Sequence, residues 1–171
     1  TVTAGLIKRD KTTGKLFHFM HDSNDTNSVA GNGIISITGN KKNLWVSTQA
    51  GLDKLEMASG KLTHYLHGIQ ASGVVIDGKG IVWAGTSNGL YEYDTGKNSF
   101  ILFNDPAVQI GRVISLNADK NDNIWISSGT SIFLLKSDRK HIIMYANNNL
   151  HAAGWISNND YISEDGEVFV G

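Results

Sequence analysis

The sequence contains no cysteine and one proline, and it has no apolar run of roughly 18 residues or more, the length that a membrane-spanning helix needs. The missing cysteines exclude disulfide bonds, thiolate nucleophiles and cysteine-based zinc sites, but they do not identify the redox compartment. The chain begins Thr-Val-Thr-Ala-Gly, which is neither an initiator methionine nor a signal peptide. We therefore expect a piece of a longer protein, with no direct membrane insertion of its own.

An excess of charge of either sign is also missing. Lysine and arginine number 15 and aspartate and glutamate 16, which gives a formal net charge of −1. Proteins that bind nucleic acids or charged membrane surfaces usually carry a basic excess. We expect neither as a partner.

Glycine, by contrast, is abundant, with 19 residues. Many glycines with almost no proline favour short strands joined by glycine turns, and they disfavour disordered or proline-linked segments. The predicted class is all-β.

An aromatic residue recurs about every 40 residues. Trp45, Trp83, Trp125 and Phe169 are separated by 38, 42 and 44 residues, and each lies in a similar local sequence, such as Asn-Leu-Trp-Val-Ser-Thr and Asn-Ile-Trp-Ile-Ser-Ser. A repeat of this length indicates one supersecondary unit per period. The chain therefore holds four periods, and both of its ends are cut at the same phase of the unit.

Within a period, apolar and polar residues alternate, and glycine, asparagine or aspartate interrupts the alternation every four to six residues. This pattern is typical of short antiparallel strands joined by hairpin turns. In the second full unit it predicts strands over residues 74–76, 81–85, 90–94 and 100–103.

Four-stranded antiparallel units repeated in this way match the blades of a β-propeller. We predict an all-β fragment of a β-propeller, with about four blades of four antiparallel strands, cut mid-blade at both ends. The tryptophan on the second strand of each unit is expected to pack between neighbouring blades. The expected division is a half-blade 1–28, blades 29–68, 69–106 and 107–149, and a half-blade 150–171.

The second unit carries residues of a known repeat. Asp77-Gly78, Trp83-Ala84-Gly85-Thr86 and Asn88-Gly89-Leu90-Tyr91 resemble the regulator-propeller repeat of hybrid two-component sensor histidine kinases. The resemblance covers nearly the whole chain, although Ser127-Ser128-Gly129-Thr130-Ser131-Ile132 in the third unit departs from the Gly-Thr and Gly-Leu segments. The resemblance therefore specifies the turn geometry of that unit less closely than that of the second unit.

The resemblance implies two seven-bladed propellers in the periplasmic part of an inner-membrane protein, followed by an immunoglobulin-like domain, a membrane helix and the kinase. Glycan fragments are the usual signals of that family. The chain is then expected to be a periplasmic ligand-binding segment late in the second propeller, without chemistry of its own. Its partners would be an oligosaccharide or other small polar ligand, the remaining blades and the immunoglobulin-like domain.

Two alternatives stay open: a protein-interaction scaffold of the same fold, and a propeller lyase or hydrolase. The sequence has no nucleophile elbow, phosphate-binding glycine loop or His-Glu-x-x-His segment, and no pair of carboxylates stands out. We therefore predict no catalytic residue and no cofactor. The complementary half-blades at the two ends predict either a truncated open arc or a homodimer closed by half-blade exchange.

The candidate ligand-binding residues lie in the irregular segments between units, residues 22–33, 67–73, 104–112 and 147–159. In propellers such connections cross the face that usually binds ligands. They supply planar amides, a guanidinium, an imidazole and an aromatic platform, which suit a polar or anionic sugar. The candidate residues are Asn32, Gln70, Arg112, His151 and Trp155.

Two patterns that suggest metal ligands are better explained without a metal. His18/His21 and His64/His67 share a three-residue spacing, but the next two units continue it with leucine and methionine, and no acidic residue joins them at ligand spacing. We expect exposed histidines on outer strands. Residues 119–123 resemble the start of a calcium loop but lack its later glycine and glutamate, so we predict a hairpin turn there.

Overall fold

The computed structural model describes residues 4–129, 131–146, 161–163, 165 and 167–169. In these residues the ordered elements are strands alone, and no helix long and apolar enough to cross a membrane occurs among them. The strands form three four-stranded and two two-stranded sheets. This confirms the predicted all-β class.

The chain divides into two compact units, residues 1–71 and 72–171. The first unit contains a half-blade and the first blade. The half-blade pairs β1 (Leu6–Arg9) with β2 (Leu16–Phe19). The first blade consists of β3 (Ile34–Gly39), β4 (Asn43–Thr48), β5 (Gly51–Glu56) and β6 (Leu62–Tyr65).

The boundary between the units falls at the first residue of β7, so the second unit begins with the second blade. This blade consists of β7 (Ala71–Ile76), β8 (Val82–Thr86), β9 (Gly89–Asp94) and β10 (Ser99–Leu102). The third blade consists of β11 (Val113–Ala118), β12 (Ile124–Ser128), β13 (Ser131–Leu135) and β14 (Ile142–Ala146). A last hairpin pairs β15 (Tyr161–Ile162) with β16 (Val168–Phe169).

Each four-stranded sheet is an antiparallel meander in which consecutive strands are neighbours. The four strands predicted for the second unit are confirmed, although β7 begins three residues earlier than predicted and Phe103 follows β10 instead of belonging to it. The inner strands of the first and third blades share an irregularity in register, between Ile34 and Ser36 and between Val113 and Ser115. The repeat therefore extends to a bulge at one position of the backbone.

Trp83 is the largest fully buried side chain. Within the second unit it packs with Leu90 of its own blade and with the third blade. The same buried cluster contains Val113, Leu116, Ile124, Ile126, Phe133 and Leu135 of that blade. At about 25 cal/mol per Å², burying roughly 200 Å² of indole contributes up to about 5 kcal/mol. The predicted position of this tryptophan between blades is confirmed.

The half-blade packs on the first blade through a separate apolar cluster. This buried cluster contains Leu6 of the half-blade, Val29 of the segment between β2 and β3, and Val46, Leu55 and Leu62 of the first blade. Burial of these apolar side chains anchors that segment at one point of the first unit.

A hydroxyl closes the turn between the second and third strands of each blade. Thr86 Oγ1 donates to the carbonyl of Gly89 (2.9 Å) and accepts from the N–H of Asn88 (3.0 Å). In the third blade, Ser128 Oγ donates to the carbonyl of Ser131 (3.0 Å). Serine therefore keeps the carbonyl bond that threonine makes in the second blade.

Candidate functional site

A cavity of about 200 Å³ lies in the first unit. One wall is the connection, residues 20–33, which joins β2 to β3. In an antiparallel meander this connection, the β4–β5 turn and the end of β6 all lie at the same end of the strands. Ala50 of that turn closes the cavity. Three histidines and two aspartates line it: His21, His64, His67, Asp22 and Asp25.

A buried ion pair supports the cavity. Asp53 in β5 lies directly opposite His64 in β6, and the Nδ1 of His64 is 2.7 Å from Asp53 Oδ1. The Asp53 side chain is fully buried, and that of His64 is 21% exposed. The same register positions of the other units hold other pairs: Ile7/His18, Tyr91/Leu102 and Phe133/Met144.

This pair holds the connection at two points. Asp53 Oδ2 accepts a hydrogen bond from the N–H of Ala30 (2.8 Å), and the Nε2 of His64 lies 2.9 Å from the carbonyl oxygen of Thr26. A carboxylate and a carbonyl oxygen are both acceptors. When Asp53 is ionised, each ring nitrogen of His64 therefore needs a hydrogen, which makes the ring an imidazolium.

The pKa shift of His64 favours this protonation state, whereas that of Asp53 opposes it. Burial by itself lowers the pKa of His64, but the hydrogen bonds to Asp53 and Thr26 and the nearby carboxylate outweigh it, so the pKa lies above its ordinary value of 6.5. Burial raises the pKa of Asp53, and hydrogen bonds from His64 and Ala30 offset only part of that effect. The pair therefore holds its proton more tightly than an exposed histidine does.

The connection also covers the outer edge of the first blade. Asn27 Oδ1 accepts from the N–H of Leu62 in β6 (2.7 Å), and its Nδ2 donates to the carbonyl of Gly60 (3.5 Å). These bonds occupy backbone groups of an edge strand that would otherwise face solvent. The connection is thus part of the first blade's fold and not a free loop.

Hydrogen bonds and a ring contact hold the polar side chains that line the cavity. His21 donates from Nδ1 to the carbonyl of Val29 (2.8 Å), and the ring of His67 lies 5.9 Å from that of His64. Ser28 Oγ donates to the carbonyl of Asp22 (2.9 Å), which closes the connection on itself. Imidazoles, hydroxyls and carboxylates are the groups that bind the hydroxyls of a small polar ligand.

The structure places the predicted ligand-binding residues separately. Asn32 lies in the connection, where its Oδ1 accepts from the N–H of His21 (2.7 Å), and it supports the cavity without lining it. Gln70 is half-buried just before β7. Arg112 is exposed just before β11, in the second unit. His151 and Trp155 lie outside the described residues. Binding through these five residues stays a prediction.

The prediction of exposed outer-strand histidines is wrong for His64. His18 is exposed in β2 as expected, whereas His64 is half-buried because Asp53 draws it toward the sheet. His21 and His67 are exposed but follow their strands. The sequence prediction did not include Asp53. Its signal in the sequence is a break in the repeat, because an aspartate occupies a position at which the other units have apolar residues. In the described part of the chain, no group of three or more ligating side chains is placed to hold a metal.

The second unit has a charged cluster at the end of its blades that carries the β7–β8 turn. The guanidinium of Arg139 donates from Nη2 to Asp77 (2.6 Å) and to Asp122 (3.1 Å). Trp83 Nε1 also donates to Asp77 (3.0 Å). Asp119, predicted in a hairpin turn, receives the same bond from Trp125 (3.0 Å), and its turn is confirmed. The bonds of Arg139 to Asp77 join the second and third blades, whereas the tryptophan bonds lie within single blades.

A groove of about 590 Å³ runs along the outer half of the second blade. Glu92 lines it, and burial together with the Asp77 carboxylate raises the pKa of Glu92. Its lining comes from one blade and its turns, whereas the cavity of the first unit brings the connection between two sheets against the first blade. The cavity is therefore the better candidate site.

Solved structures share the fold of this chain. No protein-family model and no curated protein matches the sequence. A structure described as the extracellular domain of a one-component system from B. thetaiotaomicron is 18% identical, with a TM-score of 0.71 over 98% of this chain and 23% of that one. The fold is that of a β-propeller.

Two further propeller structures are similar. One is described as the extracellular domain of a hybrid two-component system from B. thetaiotaomicron, at 17% identity and a TM-score of 0.61, over 96% of this chain and 31% of that one. The other is virginiamycin B lyase from Staphylococcus aureus, at 18% identity and a TM-score of 0.55, over 80% and 54%. The chain thus spans less than a third of each extracellular domain, and these identities establish the propeller fold alone.

Proposed function

We propose that the chain is a segment of a sensor propeller in the periplasmic part of a hybrid two-component regulator, and that the cavity beside the connection binds one sugar unit of a glycan-derived oligosaccharide. The periplasmic position, the inner-membrane parent and the kinase output belong to this proposal. It is supported by the fold shared with two structures described as extracellular domains of signalling systems and by the regulator-propeller repeat in the sequence.

The observation that carries the proposal is the break in the repeat at the cavity. The other units have an apolar residue at the Asp53 position. Burying a carboxylate and an imidazole at that place costs solvation free energy. The hydrogen bonds by which the pair holds the polar connection offset that solvation free energy. Buried ionisable groups with shifted pKa values concentrate at functional sites.

The dimensions suit a sugar. Ligand pockets for drug-sized molecules begin at roughly 300 Å³, so a cavity of about 200 Å³ suits a single ring. A wider groove of about 760 Å³ shares His21, Asp22 and Asp25 with the cavity and runs along the end of β2. Further units of an oligosaccharide would lie in that groove. The remaining blades, the immunoglobulin-like domain and a second copy by half-blade exchange are the partners that we propose for the parent protein.

Calorimetric titration of the protein with neutral and acidic oligosaccharides of defined sequence tests this function. We expect saturable binding without turnover. His67→Ala removes one lining imidazole and should weaken binding about fivefold, the value of one hydrogen bond. His141→Ala, an exposed histidine in the second unit, is the control and should bind as the wild type does.

Other outcomes separate the alternatives. New products in the titration cell would show a lyase or hydrolase and overturn the sensor. Absence of binding to every saccharide, or binding that His67→Ala leaves unchanged, would overturn the assignment of the cavity and favour the protein-interaction scaffold.

A further inference from the structure

His64 has two hydrogen-bond partners that a neutral ring cannot satisfy together. Its Nδ1 faces the carboxylate of Asp53 at 2.7 Å, and its Nε2 faces the carbonyl oxygen of Thr26 at 2.9 Å. A neutral imidazole has one N–H, so one of these contacts would set a nitrogen lone pair against an oxygen. The geometry therefore distinguishes two states of the ring. Only the protonated ring donates hydrogen bonds both to the Asp53 carboxylate and to the Thr26 carbonyl oxygen.

We propose that the Asp53–His64 pair is a proton-binding site that controls the order of the connection, residues 20–33. With the proton bound, the pair holds Thr26 and Ala30 together. When His64 loses it, the neutral ring keeps its bond to the carboxylate and releases Thr26. Because the connection forms a wall of the cavity, saccharide affinity should rise as the pH falls; this last step rests on the proposed function.

Other charged and titratable groups surround the ring on each side. Asp53 faces it from β5, and His67 faces it from the chain after β6. The connection contributes three more that line the same cavity: His21, Asp22 and Asp25. Of these five, Asp53 is the one that is fully buried and directly bonded, so its charge is screened least.

The direction of the effect follows from linkage. The pKa of His64 is higher in the folded protein than its ordinary value of 6.5. The interaction is therefore complete below pH 6.5 and is lost as the pH rises through the folded value. A hydrogen bond to a charged group corresponds to an equilibrium factor of about ten to a hundred, so the connection should open that much more often at high pH.

The N–H of Leu62 reports on this opening. It donates to Asn27 Oδ1 in the connection at 2.7 Å, and it loses that bond when the connection leaves β6. We would measure its hydrogen-exchange protection factor by NMR from about pH 6 to 9, corrected for intrinsic exchange, and follow the His64 ring nitrogens in the same samples. We expect protection to fall at least about tenfold as His64 titrates.

Asp53→Asn is the decisive variant. Its amide oxygen accepts from Ala30 and its NH₂ donates to Nδ1 of a neutral His64, whose Nε2–H then donates to Thr26. All partners are satisfied without the extra proton, so the protection of Leu62 should no longer depend on pH. His18→Gln is the matched control, since His18 has the same position in β2 but lies opposite Ile7; it should behave as the wild type does.

Two results would overturn the proposal. One is a Leu62 protection factor that stays constant while His64 titrates in the wild type, a measurement that decides the question even if Asp53→Asn does not fold. The other is an unchanged pH dependence in folded Asp53→Asn. No saccharide is present, so a failure of sugar binding and a failure of the proton site are separate results.

Discussion

Replacement of Arg139 by methionine tests how strongly the charged cluster joins the blades of the second unit. Methionine keeps an unbranched side chain and removes the guanidinium. Arg139 donates from Nε (3.1 Å) and Nη2 (2.6 Å) to Asp77 and from Nη1 to the carbonyl of Asp122 (2.6 Å). Its side chain is 11% exposed and that of Asp77 is fully buried. Water can therefore replace few of the hydrogen bonds that the substitution removes.

The expected loss follows from these contacts. Removing one partner of a buried ion pair costs about 3–5 kcal/mol. Asp77 keeps donors from Trp83, Lys79 and Ile81, which places the estimate at the lower end. We expect the free energy of unfolding to fall by about 3 kcal/mol in Arg139→Met.

Urea denaturation followed by tryptophan fluorescence and circular dichroism measures this change. A double-mutant cycle with Asp77→Asn isolates the pairwise part, for which we expect more than about 1.5 kcal/mol. Lys97→Met is the matched control, because Lys97 lies 3.7 Å from Asp94 and is 70% exposed. It should change stability by less than about 0.5 kcal/mol.

A loss below about 1 kcal/mol in Arg139→Met, or one equal to that of Lys97→Met, would refute the reasoning, since it would mean that water solvates the cluster. A change in the denaturant slope would instead indicate an altered denatured state or a loss of two-state unfolding.

Two further predictions concern the second unit. Gly85→Ala should lower stability by about 1–3 kcal/mol in thermal unfolding, because the added Cβ would lie 2.5 Å from Cγ1 of the buried Val113; an unchanged melting temperature would show that the blades shift apart easily. Burial alone would raise the pKa of Asp77, but bonds from Trp83 and Arg139 hold it below 3.8. The stability from Asp77 is therefore present above about pH 4 and lost as the pH falls further, so Asp77→Asn should flatten the acid limb of a stability–pH curve, and an equally steep limb would contradict this origin.

The local spacing of residues determined the blades. Alternation of apolar and polar residues, with glycine and aspartate at the turns, predicted the strands of the second unit and the hairpin at Asp119, because these features depend on neighbours a few residues apart. The same spacing placed Trp83 between blades, since the recurrence of a large aromatic residue in each unit requires a common buried position. The packing of a large aromatic side chain between neighbouring sheets thus follows from the repeat itself.

Tertiary structure alone decided the candidate site. Asp53 and His64 meet through the β5–β6 register, and their contacts with Ala30 and Thr26 come from a connection that has no template in the repeat. Arg139 and Asp77 meet across 62 residues. Side chains so far apart in the chain become neighbours only when the blades pack, and whether such charges are paired or solvated depends on burial that no local pattern encodes.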